Sequence, residues 1–75
     1  MKVRYTLFWD AEENNDRFVP RVIITDMSTH LPVLQWRAAY SLDTLFEALV
    51  HAHDYGETAL LALNMLSSAS AAEAP

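Results

Sequence analysis

The stretch SLDTLFEALVHAHDYGETALLALNML, residues 41–66, carries the helical signals of this 75-residue chain, and what precedes it reads as strands. Ser41 has a hydroxyl that accepts a hydrogen bond from a first-turn amide, and Asp43 puts negative charge beside the positive end of a helix. From there Leu42, Leu45, Phe46, Leu49, Val50 and His53 recur at the spacing of an apolar stripe, leaving Asp43, Glu47 and Asp54 toward solvent. Gly56, the single glycine, adopts the left-handed conformation that ends helices without steric cost, so the first helix is expected to stop there. A second helix is expected from about Glu57 to Leu66, with Ala59 to Leu66 apolar nearly all the way round and interrupted only by Asn64.

Upstream, apolar residues alternate with a period of two. Val3, Tyr5, Leu7 and Trp9 share one face of a strand from Val3 to Trp9, opposite Lys2, Arg4, Thr6 and Phe8. Asp10 to Arg17 is polar and acidic, which suits a mobile hairpin connection rather than a tight two-residue turn. In a second strand, Phe18 to Thr25, the residues Phe18, Val22 and Ile24 beside Pro20 face the core and Val19, Arg21, Ile23 and Thr25 face outward, or the two sets exchange. Pro20 lacks a ladder donor, so the strand lies at an edge there or bulges. A turn over Asp26 to Pro32 leads to a third strand, Val33 to Ala39. The expected fold is α+β: a three-stranded antiparallel β-sheet followed by two α-helices, β-β-β-α-α. It occupies a single domain over residues 1–66, with a flexible Ala/Ser-rich tail over 67–75.

Charge is divided between the two halves. Lys2, Arg4, Arg17, Arg21 and Arg37 all precede Ala38, whereas Ala38 to Pro75 carries only Asp43, Glu47, Asp54, Glu57 and Glu73, so the net charge of −5 lies in the helical half. A pI near 4.8 argues against direct nucleic-acid binding, which depends on neutralising phosphates with Lys and Arg. The chain has no cysteine, which excludes disulfides and thiolate metal sites. A chain this short buries only about 60–65% of its unfolded surface, so oligomerisation is the remaining staple. No apolar run approaches a membrane span, and Lys2, Arg4 and Asp10 break any secretory core, so a cytoplasmic protein is expected.

Three groups of residues offer partner contacts. In a meander, Arg4, Arg21 and Arg37 fall on one sheet face among Phe8, Val19, Ile23 and Val33, a row of planar donors suited to carboxylates or phosphates and read here as docking a partner's acidic surface. Asp43, Glu47, Asp54 and Glu57 make an acidic helical surface suited to a basic one. Leu60, Leu61, Leu63, Asn64, Met65 and Leu66 form a segment too apolar for a lone copy to hide, and are assigned to a homodimer interface. A metal site from His30, His51, His53 and Asp54 is disfavoured, because helical residues two apart project to nearly opposite sides. Asp10, Glu12, Asn14 and Asp16 open like a calcium loop, but Asn15 stands where glycine is needed and Arg21 where a bidentate glutamate is needed. No cofactor is expected. No nucleophile, base and orienter are grouped, so an enzyme is not expected either.

Three strands followed by a helix opening Ser41-Leu42-Asp43-Thr44-Leu45-Phe46-Glu47-Ala48-Leu49 resemble, over Val3 to His53, the layout of the HicB-type antitoxin domain. That resemblance implies a module that neutralises a small toxin. Ala38-Ala39-Tyr40 replaces the glycine-containing segment such domains carry, and no functional residue is transferred. Small size and the lack of catalytic apparatus point to an acidic regulator or inhibitor of the phage or mobile-element type. It is expected to act as a homodimer on a larger protein with a basic or apolar surface, and nucleic-acid mimicry by its acidic residues is one variant.

Overall fold

The structure, a computed structural model, describes the backbone of residues 4–73 and the side chains of residues 4–66. Strands β1 (Tyr5–Asn14), β2 (Arg17–Asp26) and β3 (Leu31–Arg37) form an antiparallel meander in the order β1-β2-β3. One helix follows, α1 (Leu45–Glu73), so the expected β-β-β-α-α order is corrected to β-β-β-α. Gly56 is the reason. It is buried inside the continuous helix, and a Cβ on it would lie 2.7 Å from Leu7 Cδ1. Glycine here lets α1 approach β1 closely, and the contact offsets the roughly 0.5–1 kcal/mol by which glycine disfavours a helix interior. The backbone of Ser67 to Glu73 continues the helix, while the side chains from Ser67 onward lie outside the described residues.

The first hairpin is tighter than expected. Rather than a mobile connection over Asp10 to Arg17, β1 continues to Asn14 and only Asn15 and Asp16 make the turn, with φ of 53° and 63°. Two central residues of positive φ are what a two-residue hairpin matching the strand twist requires, and Asn and Asp tolerate that conformation best after glycine. Val3, expected in β1, lies outside the described residues. In the second turn Asp26 Oδ1 accepts from the Ser28 amide at 2.7 Å, and His30, at φ 61°, donates its amide to the Asp26 carbonyl at 2.7 Å. β3 therefore starts at Leu31, two residues before the expected Val33, with a register shift between Ile24 and Thr25.

Pro20 sits in the central strand, where its missing donor decides how β3 ends. Its carbonyl accepts the Ala38 amide at 2.9 Å, but it returns no bond, and the ladder stops. The chain then loops out and rejoins β2 at Phe18, which exchanges two backbone bonds with Leu42 at 2.9 and 2.8 Å. The core lies between sheet and helix. Val22, Ile24 and Ala52 are fully buried, surrounded by Tyr5, Leu7, Leu34, Trp36, Ala59, Leu60 and Leu63. Complete burial of a valine or isoleucine side chain contributes about 1.5–3 kcal/mol.

The helix cap is Thr44, not Ser41. Thr44 Oγ1 accepts the Glu47 amide at 3.1 Å and its hydroxyl donates to Glu47 Oε1 at 3.1 Å, a side-chain version of the capping box. The inward face also differs from expectation. Phe46 and Val50, read as core-facing, are exposed, while Ala48, Ala52 and Gly56 are buried. Small residues every fourth position draw the helix backbone down onto the sheet, which leaves no room for the larger side chains beneath it.

Candidate functional site

The outer sheet face is chequered with ion pairs. Asp10 stands opposite Arg21 in the β1–β2 register and accepts two bonds from it, at 2.9 and 2.6 Å. Glu12 accepts from Arg37 Nε at 3.0 Å and lies 3.9 Å from Arg21. The hydrogen bond to Asp10 above all raises the Arg21 pKa above its ordinary value; desolvation opposes it, and the charges of Asp10 and Glu12 add to the rise. A raised folded-state pKa places this contribution at all pH below the ordinary arginine value, with loss only as pH climbs past the raised one. Two of the three arginines assigned to a partner's carboxylates thus hold carboxylates of their own chain. Arg4 lies just ahead of β1, where its carbonyl accepts the Met27 amide at 2.8 Å. The acids read as a calcium-loop opening, Asp10 and Glu12, serve this network instead. Between the pairs stand Phe8, Ile23 and Val33, all exposed.

The four acids assigned to partner binding do not make one surface. Asp43 precedes the helix and is held by Arg17, which also donates to the Ser41 hydroxyl at 2.6 Å and the Ser41 carbonyl at 2.9 Å. Arg17 went unassigned in the sequence, yet it ties the hairpin to the helix entrance. Glu47 is engaged with the cap. Asp54 and Glu57 lie beside His53, at 3.6 and 3.4 Å. The histidines go separate ways: His51 Nδ1 is 3.2 Å from the Tyr40 hydroxyl, and His53 meets Trp9 edge-on with centroids 5.3 Å apart. Among the described residues no three His, Cys, Asp or Glu side chains gather as a metal site.

The segment assigned to the homodimer interface is divided by the helix. Leu60 and Leu63 are half-buried against the chain's own sheet. Leu61 and Met65, one turn apart, face outward and are 62% and 63% exposed. Leu66 shares the sheet-facing side with Ala59 and Leu63, yet it is 66% exposed, so the helix has run past the sheet at that point. Asn64 lies exposed on the flank between these sets.

Aromatic contacts define the two flanks of α1. Tyr55 stacks flat on Trp36 of β3, with centroids 3.8 Å apart and planes at 8°. His53 marks the β1 flank through Trp9, and Phe46 and Leu60 lie seven residues either side of it, two helical turns away on the same side. Phe46 is 75% exposed, the most of any large apolar residue described. Phe46, Val50 and Trp9 were unassigned as contact residues; for Phe46 and Val50 the line of small residues at 48, 52 and 56 on the same helix was a visible signal, whereas nothing in the sequence marked Trp9. Among the described residues no helix is long and apolar enough to cross a membrane. No protein-family model, no curated protein and no solved structure matches this chain.

Proposed function

We propose that this chain is a non-catalytic regulator that works as a homodimer and docks onto an apolar groove of a larger protein through the distal half of α1. The observation that carries this reading is the exposure of Leu61, Met65 and Leu66 on one stretch of a helix that overhangs its own sheet. Leu61 and Met65 stand at i and i+4, two of the anchor positions of helix-in-groove recognition, with Leu66 extending the apolar surface round the overhanging end, and large exposed apolar patches are rare on proteins that act alone. Asp54 and Glu57, one to two turns before Leu61, favour a groove with a basic rim, acting on encounter rate more than on affinity. Nucleic-acid mimicry is less favoured, because Asp43 is neutralised by Arg17 and the remaining acids are spread along the helix.

Affinity capture with the tagged full chain tests the reading. At about 0.5 M salt the screening length falls to roughly 4 Å, so an apolar dock survives and a charge-driven one dissociates. The expected result is one stoichiometric partner retained at that salt and lost on Leu61→Asp/Met65→Asp, with the circular dichroism spectrum unchanged. A partner indifferent to the double variant, or no partner, overturns it.

A further inference from the structure

We infer that two copies of this chain join along the free edge of β1, forming one six-stranded antiparallel sheet with the two α1 helices side by side above the seam. This rests on the homodimer part of the proposed function and says where that dimer is built. The sheet has two edges of opposite construction. β3 is seven residues long, carries Pro32, and is disturbed by the register shift at Ile24/Thr25. β1 is ten residues long, pairs with β2 without interruption from Tyr5↔Asp26 to Asn14↔Arg17, and contains no proline, glycine or lysine. Short strands, proline and bulges blunt an edge against pairing, and β1 lacks all of them.

Backbone phase and charge fit a two-fold axis through Trp9. Phe18 and Pro20 bond toward β3, so Val19, Arg21 and Ile23 bond toward β1, opposite Glu12, Asp10 and Phe8. Leu7, Trp9, Ala11 and Glu13 therefore direct their amides and carbonyls away from β2. With Trp9 on the axis, Leu7 stands opposite Ala11 of the second copy and Trp9 opposite Trp9. The acids Asp10, Glu12 and Glu13 occupy one half of β1, and antiparallel pairing sets them opposite the uncharged Phe8, Thr6 and Tyr5. A parallel in-register pairing would instead stack acid on acid. Charge thus favours the self-complementary arrangement that a two-fold interface requires.

The helices also fit. The α1 backbone comes close to β1 and β2, while β3 is reached only through long side chains such as Tyr55 on Trp36, so the helix axis runs above the gap between the first two strands. With strands about 4.8 Å apart, two such helices related across a β1–β1 seam lie roughly 9.6 Å from each other, within the 8–10 Å of close helix packing. The flanks that would meet carry Phe46, Val50, His53 and Leu60, and Phe46 of one copy faces Leu60 of the other. That contact covers Phe46, the most exposed large apolar side chain among the described residues. The flank is about 33 Å long by strand rise and 17–20 Å deep, roughly 600 Å² per copy and 1,200 Å² in total, the lower bound for a specific dimer.

Light scattering on the full chain gives the first test. The expected mass is twice the 8.5 kDa chain mass. Ala11→Pro removes an edge donor that β2 does not use, and Phe46→Lys/Val50→Glu alters only exposed side chains, so each is expected to weaken dimerisation by more than about tenfold. Because the chain has no cysteine, single nitroxide labels locate the seam. A label on Phe8→Cys is expected to show dipolar broadening, and one on Val33→Cys none. A monomeric wild type, or a dimer that survives both variants without broadening at position 8, overturns the inference. A monomer that still captures its partner through Leu61 and Met65 leaves the docking reading intact. A β1-paired dimer that captures nothing removes the regulator reading alone.

Discussion

The two faces of α1 are made of different materials. Toward the sheet it presents Ala48, Ala52 and Gly56; away from it stand Phe46, Leu61 and Met65. A simple amphipathic reading would place the largest apolar residues inside. Here the small residues are inside, because spacing and not hydropathy sets how near the helix can come to Leu7, Val22 and Ile24. Phe46, Leu61 and Met65 are then left uncovered by the chain's own sheet. A protein this small keeps much of its apolar surface uncovered, here on both the helix and the sheet.

The contrast breaks most severely from within. Gly56→Val puts a branched side chain where even a Cβ sits 2.7 Å from Leu7 Cδ1, and should cost about 3 kcal/mol or more in chemical denaturation through forced overpacking. Gly56→Ala should cost less, because Leu7 presents a flexible side-chain end and alanine regains about 1 kcal/mol of helix propensity. At the helix entrance, Thr44→Ala removes the cap of Glu47 and should lower stability by about 1 kcal/mol. On the half-exposed outer sheet face, a double-mutant cycle on Asp10 and Arg21 should return a coupling of roughly 0.2–1 kcal/mol that shrinks with added salt. The outward helix face should be the most tolerant. Leu61→Ser and Met65→Ser should shift the stability of the chain by no more than about 0.5 kcal/mol while abolishing partner capture. If these outward substitutions unfolded the chain as Gly56→Val does, the two faces would not differ in role.

Much of the sheet was legible from alternation alone. The meander and the trouble at Pro20 follow from side-chain period and the missing proline donor, while alternation left open which set of β2 residues turns toward the helix, where Val22 and Ile24 are fully buried. The length of β1 did not follow, because Asp10 and Glu12 look like loop residues until their arginines, 11 and 25 positions later, stand beside them in the sheet. Gly56 misled because a glycine that ends a helix and one that admits a neighbouring strand are the same residue in sequence; only Ala48, Ala52 and Gly56 at four-residue spacing hinted at the second role. Ser41 and Thr44 are equally competent caps, and Arg17 decides between them by engaging Ser41. Within Ala59 to Leu66 the direction of burial was illegible, since a segment apolar on every side carries no polar face to mark the outside. That is why Leu61 and Met65 were grouped with Leu60 and Leu63.

Methyl and Hα NMR with a paramagnetic cosolute tests the central claim most directly, since it reads both helix faces in one sample. The claim is that one unbroken helix, held against β1 at Gly56, turns Leu61 and Met65 outward while Leu63 stays against the sheet. The expected result is a Gly56 Hα to Leu7 methyl cross-peak, with strong broadening of the Leu61 and Met65 methyls and weak broadening of Leu63. A missing cross-peak, or Leu61 as shielded as Leu63 in a chain bound to nothing, would contradict it.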